Sequence, residues 1–425
     1  MRILLFLTVS PLLFAETHTL TLEQAIARAR SQNPDVLLAR LDARKAAEAI
    51  RIQQDAFHPK VFAGSGLAYT SGFPMSIEGS APSIVQARAV ASVYDRAQKF
   101  KIAETRENAR GALINVVGRA DDAVMRTVEL YLDAAHAAQS ATSAREQAES
   151  AARLEDFTRT RVEEGREIPL EGRRAALETA RARQSMARFE SNAHILGGTL
   201  ADVLGYPAGD EVKTSSDPIA APEMPESEAA AVELAYNANS DLRRLDSDLT
   251  AKQLAIKSAR ASMLPKLSLV AQYGLFAKFN NYEQFFNKFQ RHNGQLGVSF
   301  EMPLWLGPAS KAQANQAQAD IQRLNIEASR LRTRIALDVR RDYASTQEAE
   351  LARDVARLDL DVARESLEVT RARFEEGKAS LRDVELARQL EAQKWLAYYD
   401  ALHTLDRARY ALAERTGLLS GRPTP

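Results

Sequence analysis

The sequence has no cysteine among its 425 residues, which excludes disulfides, thiolate metal sites and a lipid-modified N-terminal Cys. It also lacks an excess of either charge. Lys plus Arg and Asp plus Glu each number 56, so no net field draws the chain to nucleic acid or to an acidic membrane surface. No apolar run reaches the roughly twenty residues that a membrane-crossing helix needs, so a chain of this kind would enter a bilayer only as strands. Catalytic constellations are missing too. His18, His58, His136, His194, His292 and His403 are scattered without metal-ligand spacing. Gly64-Ser65-Gly66 lies in a strand-like segment, without the following helix and downstream acid of a dinucleotide site. At 26% charged residues, the acidic pairs on the helices are what solvated faces provide. The sequence therefore predicts no enzyme, no cofactor, no metal site and no nucleic-acid partner.

What is present begins with Met1 to Ala15, one basic residue followed by the apolar run Ile3 to Phe14. This pattern predicts a secretory signal peptide over residues 1–15. Helical patterns dominate the rest of the chain. Leu20 to Asn33 is amphipathic, capped by Thr21 and ended by Pro34, and a second helix leads from Pro34 to about Phe57. The longest pattern runs from Asp95 to about Glu163 without a proline, a span of about 100 Å if continuous. Its apolar and small positions step by threes and fours through Ala109, Leu113, Val116, Ala120, Val124, Tyr131, Ala135 and Ala138, which predicts a coiled-coil seam. Gly165 breaks it, a helix follows from Pro169 to Leu204, and the four-proline segment after Gly205 reads as a linker.

The helical pattern gives way to strands twice. Lys266 to Phe276 alternates with Leu267, Leu269, Ala271, Tyr273 and Leu275 on one side. Gln295 to Leu304 places Leu296, Val298, Phe300 and Met302 outward and Gln295, Gly297, Ser299 and Glu301 on the other side. Each has about the ten-residue length of a tilted transmembrane strand, and the second has the apolar-out, polar-in alternation of a barrel wall. Ala277 to Asn293 between them is rich in Phe, Tyr, Asn and Lys, as suits a loop at a membrane surface. Weaker strands, rich in Ala and Gly, are expected at about 60–70 and 83–94.

These two regions are copies. Ala231, Ala235, Asn239, Asp241, Pro265 and Lys266 match Ala25, Ala29, Asn33, Asp35, Pro59 and Lys60 at an offset of about 206 residues. Beyond the strands the offset is about 212, with Thr370, Arg371, Arg373, Glu375, Glu376 and Gly377 matching Thr158, Arg159, Arg161, Glu163, Glu164 and Gly165. Ile321, Leu324, Ala328, Leu331 and Ile335 restate the three-four seam. The expected organisation is a first repeat over 16–205, a linker over 206–227, a second repeat over 228–417 with strands at about 266–276 and 294–304, and a tail over 418–425.

LTLEQAIARARSQNPDV near the start, the Pro-Lys switches at Pro59-Lys60 and Pro265-Lys266, SVYDRAQK and MPLWLGPASK after the strands, and RFEEGKASLRDVELAR near the end, in this order within a duplication, resemble the TolC family of outer-membrane efflux proteins. The resemblance spans nearly all of the chain after the signal segment. It implies a mainly α fold with a small β part: long periplasmic coiled-coil helices and four transmembrane β-strands per chain, assembled as a homotrimer with one twelve-stranded barrel in the outer membrane of a Gram-negative-type bacterium. Association has a physical reason of its own. Four strands do not close a barrel, and open edges are not left in hydrocarbon, so transmembrane hairpins require several chains. The number three comes from the resemblance alone.

The resemblance further implies an export duct that works with an inner-membrane pump through a periplasmic adaptor. Gly165 and Gly377 would form the adaptor-contacting tips. Asp383 falls where the family often carries a ring-forming acid at the tunnel entrance, and Glu171 is its counterpart in the first copy. Leu386 departs from the pattern, since some members carry a second acid there, and Ile168-Pro169 makes the first tip unusual. Leu267, Leu269, Leu296, Val298 and Phe300 would face outer-membrane lipid. The competing expectation is a periplasmic coiled-coil scaffold without a barrel, which leaves the paired strands unexplained.

Overall fold

The computed structural model describes residues 16–66, 83–215, 217, 219–277, 290–304 and 307–420. The expected signal peptide, residues 67–70 of the first expected strand, most of the loop over 277–293 and the end of the tail lie outside these residues. A short strand, β1 (Thr17–Leu20), precedes the first repeat. That repeat comprises α1 (Leu22–Gln32), α2 (Pro34–Gln54), β2 (Lys60–Gly66), β3 (Ser83–Tyr94), α3 (Arg96–Glu163) and α4 (Pro169–Val203). After β4 (Glu211–Thr214) the second repeat follows as α5 (Glu228–Ala238), α6 (Ser240–Ala261), β5 (Lys266–Phe276), β6 (His292–Glu301), α7 (Ala309–Glu375) and α8 (Leu381–Arg415). The helices agree in length pair by pair: 11 and 11, 21 and 22, 68 and 67, 35 and 35 residues.

Three expectations need correction. The segment 206–227 is not only a linker, because it contains β4, which pairs in parallel with β1 from Thr17 opposite Glu211 to Leu20 opposite Thr214. The last strand spans His292–Glu301 rather than 294–304. Its ladder ends with Glu301 opposite Lys266, and Pro303, which has no N–H, does not extend it. The α3 seam departs from the expected line at Leu113, which is exposed, and again after Tyr131, where Ala134, Ala137, Ala141, Ala144 and Ala148 are buried and Ala138 is exposed. A helix of 3.6 residues per turn drifts across a strict heptad, so the buried line moves along a helix this long.

The chain divides into two compact units. The first comprises Met1–Ala39, Val116–Asn239 and Arg332–Pro425. Its core joins Leu22, Ala25 and Ala29 of α1 to Val124, Val128, Tyr131 and Leu132 of α3, Leu200 and Ala201 of α4, and Val212 of β4. The alanines let helix backbones approach closely. The Tyr131 hydroxyl donates to Leu20 O at 3.0 Å and accepts from Ser215 N at 3.2 Å, holding the ends of β1 and β4 together. Buried Asn33 serves two helices: its backbone N–H caps α1, and its Oδ1 accepts from Asp35 N at 2.9 Å at the start of α2. The expected Thr21 cap of α1 is a full capping box with Gln24.

Glu414, near the end of α8, carries a pH dependence in this unit. Burial pushes its carboxyl up to about 7, with Arg415 opposing and Asp121, Asp122 and Asp342 adding to the rise. The folded state thus holds a proton that the unfolded chain releases near the ordinary value of 4.5. Its contribution is fully present below that value and is lost as the pH rises through about 7, at most about 3 kcal/mol. Thermal melts between about pH 5 and 8 should show falling stability in the wild type and a flatter profile in Glu414→Gln. Parallel profiles would contradict this assignment.

The second unit comprises Arg40–Asn115 and Ser240–Leu331. Leu245 packs with Leu324 and Ala328, two residues of the expected second seam. Ser247 Oγ donates to Glu107 O at 2.8 Å, and Lys252 pairs with Asp320 at 2.7 Å. This unit also holds the four-stranded antiparallel sheet, in the order β2-β3-β5-β6.

Candidate functional site: a two-faced sheet and two matched helix tips

Register decides which residues of the sheet share a face, because directly opposed residues in an antiparallel pair project to the same side. Leu267 lies opposite Phe300, Leu269 opposite Val298 and Ala271 opposite Leu296. On the other side of β5, Leu269 meets Ala91, Ala271 meets Ala89 and Tyr273 meets Ala87, and on β2 Val61 and Ala63 continue the rows from Ala89 and Ala87. All five residues expected to face lipid therefore share one apolar face. Among the described residues its only titratable groups are tyrosines and His292, and His292 Nδ1 lies 2.6 Å from the Tyr273 hydroxyl.

The opposite face is polar. Ser92, Ser268 and Ser299 form one row, and Phe62, Arg88, Gln272 and Gln295 another. The single chain leaves much of the apolar face open to solvent: Leu296 is 78% exposed, Val298 68% and Phe300 64%. The outer edges of β2 and β6 have no strand partner among the described residues, so the sheet is open at both sides.

The two tips, in the first unit, are near copies. At Gly165, Gly165 N donates to Val162 O at 3.0 Å and Arg166 N to Arg161 O at 2.8 Å. At Gly377 the corresponding bonds run from Gly377 N to Phe374 O at 2.9 Å and from Lys378 N to Arg373 O at 2.8 Å. These are Schellman closures, and the glycines take the left-handed conformation such closures need, with φ of 70° and 72°.

Beyond the glycines the tips differ. Ser380 and Asp383 form a capping box at the start of α8. Asp383 N donates to Ser380 Oγ at 3.3 Å, while Ser380 N and Oγ donate to Asp383 Oδ2 at 2.8 and 2.7 Å. The Ser380 hydroxyl, then its backbone N–H, hold the Asp383 carboxyl below the ordinary range in the single chain. A three-fold ring would push it the other way. Ser380-x-x-Asp383 is a capping signature legible in the sequence. At the first tip Ile168 supplies no side-chain cap, and Glu171 pairs with Arg174 at 2.7 Å.

A histidine pair has no signature in the sequence, because its members stand far apart along the chain. The rings of His136 and His403 lie 4.7 Å apart, with Nε2 of His136 2.8 Å from Asp400 and Nε2 of His403 2.8 Å from Asp133. Burial is the largest influence holding the His403 imidazole below its ordinary value. Among the described residues no group of three or more His, Asp or Glu is placed to hold a metal ion, and no helix is long and apolar enough to cross a membrane.

A sequence model of the outer membrane efflux protein family matches residues 231–418. The second repeat is thus similar in sequence to the outer membrane efflux proteins. The efflux-protein fold extends well beyond it. The structure of CusC superposes with a TM-score of 0.75 at 16% identity, covering 93% of this chain and 92% of that one. The Campylobacter jejuni CmeC outer membrane channel gives 0.75 at 14% identity, covering 93% and 85%. The Vibrio cholerae outer membrane protein VceC gives 0.72 at 14%, covering 93% and 96%. At these identities the likeness is one of fold. No curated protein matches the chain in sequence. The TolC-like, mainly helical fold read from the sequence is thus borne out, and the efflux-protein family is one of channels rather than of enzymes.

Proposed function

We propose that this chain is the outer-membrane channel component of a tripartite efflux or type I secretion system, a passive duct coupled to an inner-membrane pump through a periplasmic adaptor. The observation that carries this reading is the sheet: four strands in register present one apolar and one polar face and end in two open edges. Such a sheet suits a barrel wall between lipid and water, and its edges call for further copies. Exposed apolar positions on α7 support association. Leu351, Val355, Leu358 and Val362 step by four, three and four and are each more than 60% exposed in the single chain, as an unfilled coiled-coil seam would be. The proposed assembly is a homotrimer, with Leu267, Leu269, Leu296, Val298 and Phe300 against lipid and the Gly165 and Gly377 tips against the adaptor. Fractionation tests the proposal: heat-modifiable oligomers in the outer membrane support the duct, and a soluble periplasmic protein favours the scaffold.

Asp383 and Glu171 are proposed to line the entrance. Three Asp383 carboxylates in a narrow opening would gather cations. Asp383→Ala removes both charge and cap, so Asp383→Asn, which keeps an oxygen acceptor for the Ser380 N–H, is the sharper variant. In single-channel recordings with a divalent cation on the periplasmic side, both variants should lose most of the block. Block retained in Asp383→Asn but altered in Asp383→Ala would assign the residue to helix capping alone.

A further inference from the structure

We propose that Arg88 makes the interior of the strand region favour anions, so that the duct passes anionic solutes there more readily than cationic ones. This rests on reading the polar face of the sheet as the water-filled side. Within the four strands, the charged residues on that face are Lys60, Arg88, Lys266 and Glu301. Three of them sit at the helix-proximal end of their strands and have carboxylate or ammonium neighbours. Lys60 pairs with Asp55 at 3.2 Å, Lys266 pairs with Asp95 at 3.4 Å, and Glu301 stands opposite Lys266.

Arg88 differs on both counts. It lies within β3, opposite Phe62 on one side and Gln272 on the other, with Gln295 next in the row. Among the described residues no carboxylate bonds to it, and its side chain is exposed. Phe62 and two glutamines neutralise nothing. A guanidinium stays protonated at any working pH, so the row carries a full uncompensated positive charge. Repeated by the symmetry of a closed barrel, it becomes a ring of one sign at a single level of the wall, a common origin of anion preference in pores. The reach of such a ring is set by screening: about 30 Å at 0.01 M salt and about 3 Å at 1 M.

The absence of native cysteine makes the local potential measurable. Gln272→Cys places a single thiol directly across from Arg88, and Gln295→Cys, one strand further, serves if the first variant assembles poorly. In full-length protein assembled in the outer membrane, the rates of labelling by an anionic and a cationic methanethiosulfonate reagent are compared, with Arg88 present and in Arg88→Gln. Their ratio cancels any change in thiolate fraction. The anionic-to-cationic ratio should be higher with Arg88, by about tenfold at low salt for a unit charge several Å away, and should collapse at 1 M salt. A ratio unchanged by Arg88→Gln, with the thiol freely labelled, overturns the Arg88 assignment and leaves the barrel standing. A thiol at 272 or 295 closed to both reagents, with Ala271→Cys open, overturns the assignment of the polar face itself.

Discussion

Val298→Arg should lower the yield of assembled oligomer in the outer membrane severalfold, whereas Ser299→Arg should leave it near the wild-type level. The two positions are neighbours in β6, and register sends them to opposite faces: Val298 beside Leu269 on the apolar side, Ser299 beside Ser268 on the polar side. An arginine on the lipid side of a barrel wall near the midplane costs about 2–4 kcal/mol, and every copy in the assembly bears it. The same side chain on the polar face meets water and serines. Semi-native gels of outer membranes, with and without heating, read the outcome directly. Equal tolerance of both substitutions would contradict the assignment of the faces, and equal loss would mean that the strand tolerates no arginine at either position.

Gly205→Val should be the most damaging single glycine change, and the contrast with Gly377→Val separates folding from docking. Both residues adopt positive φ, at 70° and 72°, which costs a β-branched residue about 1–3 kcal/mol. At Gly205 there is a second cost, because a Cβ would stand 2.6 Å from the Gln32 carbonyl oxygen, a backbone atom at the junction of α1 and α2. Forcing that contact adds about 1–3 kcal/mol. At Gly377 a Cβ meets nothing within 4 Å. Gly205→Val should therefore lower both the melting temperature and the amount of protein. Gly377→Val should leave assembly intact, since the seams lie elsewhere, and reduce export in cells by disturbing the proposed adaptor-contacting tip. Normal export by the double Gly165→Val, Gly377→Val variant would exclude the tips as the docking surface.

The long helices were legible because their three-four periodicity persists and their ends carry distinct chemistry. Gly165 and Gly377 close the long helices at the expected positions, and Pro169 opens α4. The duplication was legible for the same reason, since caps and closing glycines recur at matching places. The pairing of β1 with β4 was not. Each is only four residues long, their alternation is too short to register, and the partners lie nearly two hundred residues apart. The apolar side of β3 was hidden as well, because Ala87, Ala89 and Ala91 contrast weakly with their neighbours. Pairing with Tyr273, Ala271 and Leu269 supplies what alternation alone did not. The isolation of Arg88 belongs to the same class, being a property of four strands in register and not of one.

The most direct test of the central claim, that these strands line a water-filled passage through a membrane, is conductance of the purified full-length protein in planar bilayers. The predicted result is discrete, long-lived current steps of uniform size from the assembled wild type. An assembled protein with its helical circular dichroism intact that inserts no such steps would contradict the claim.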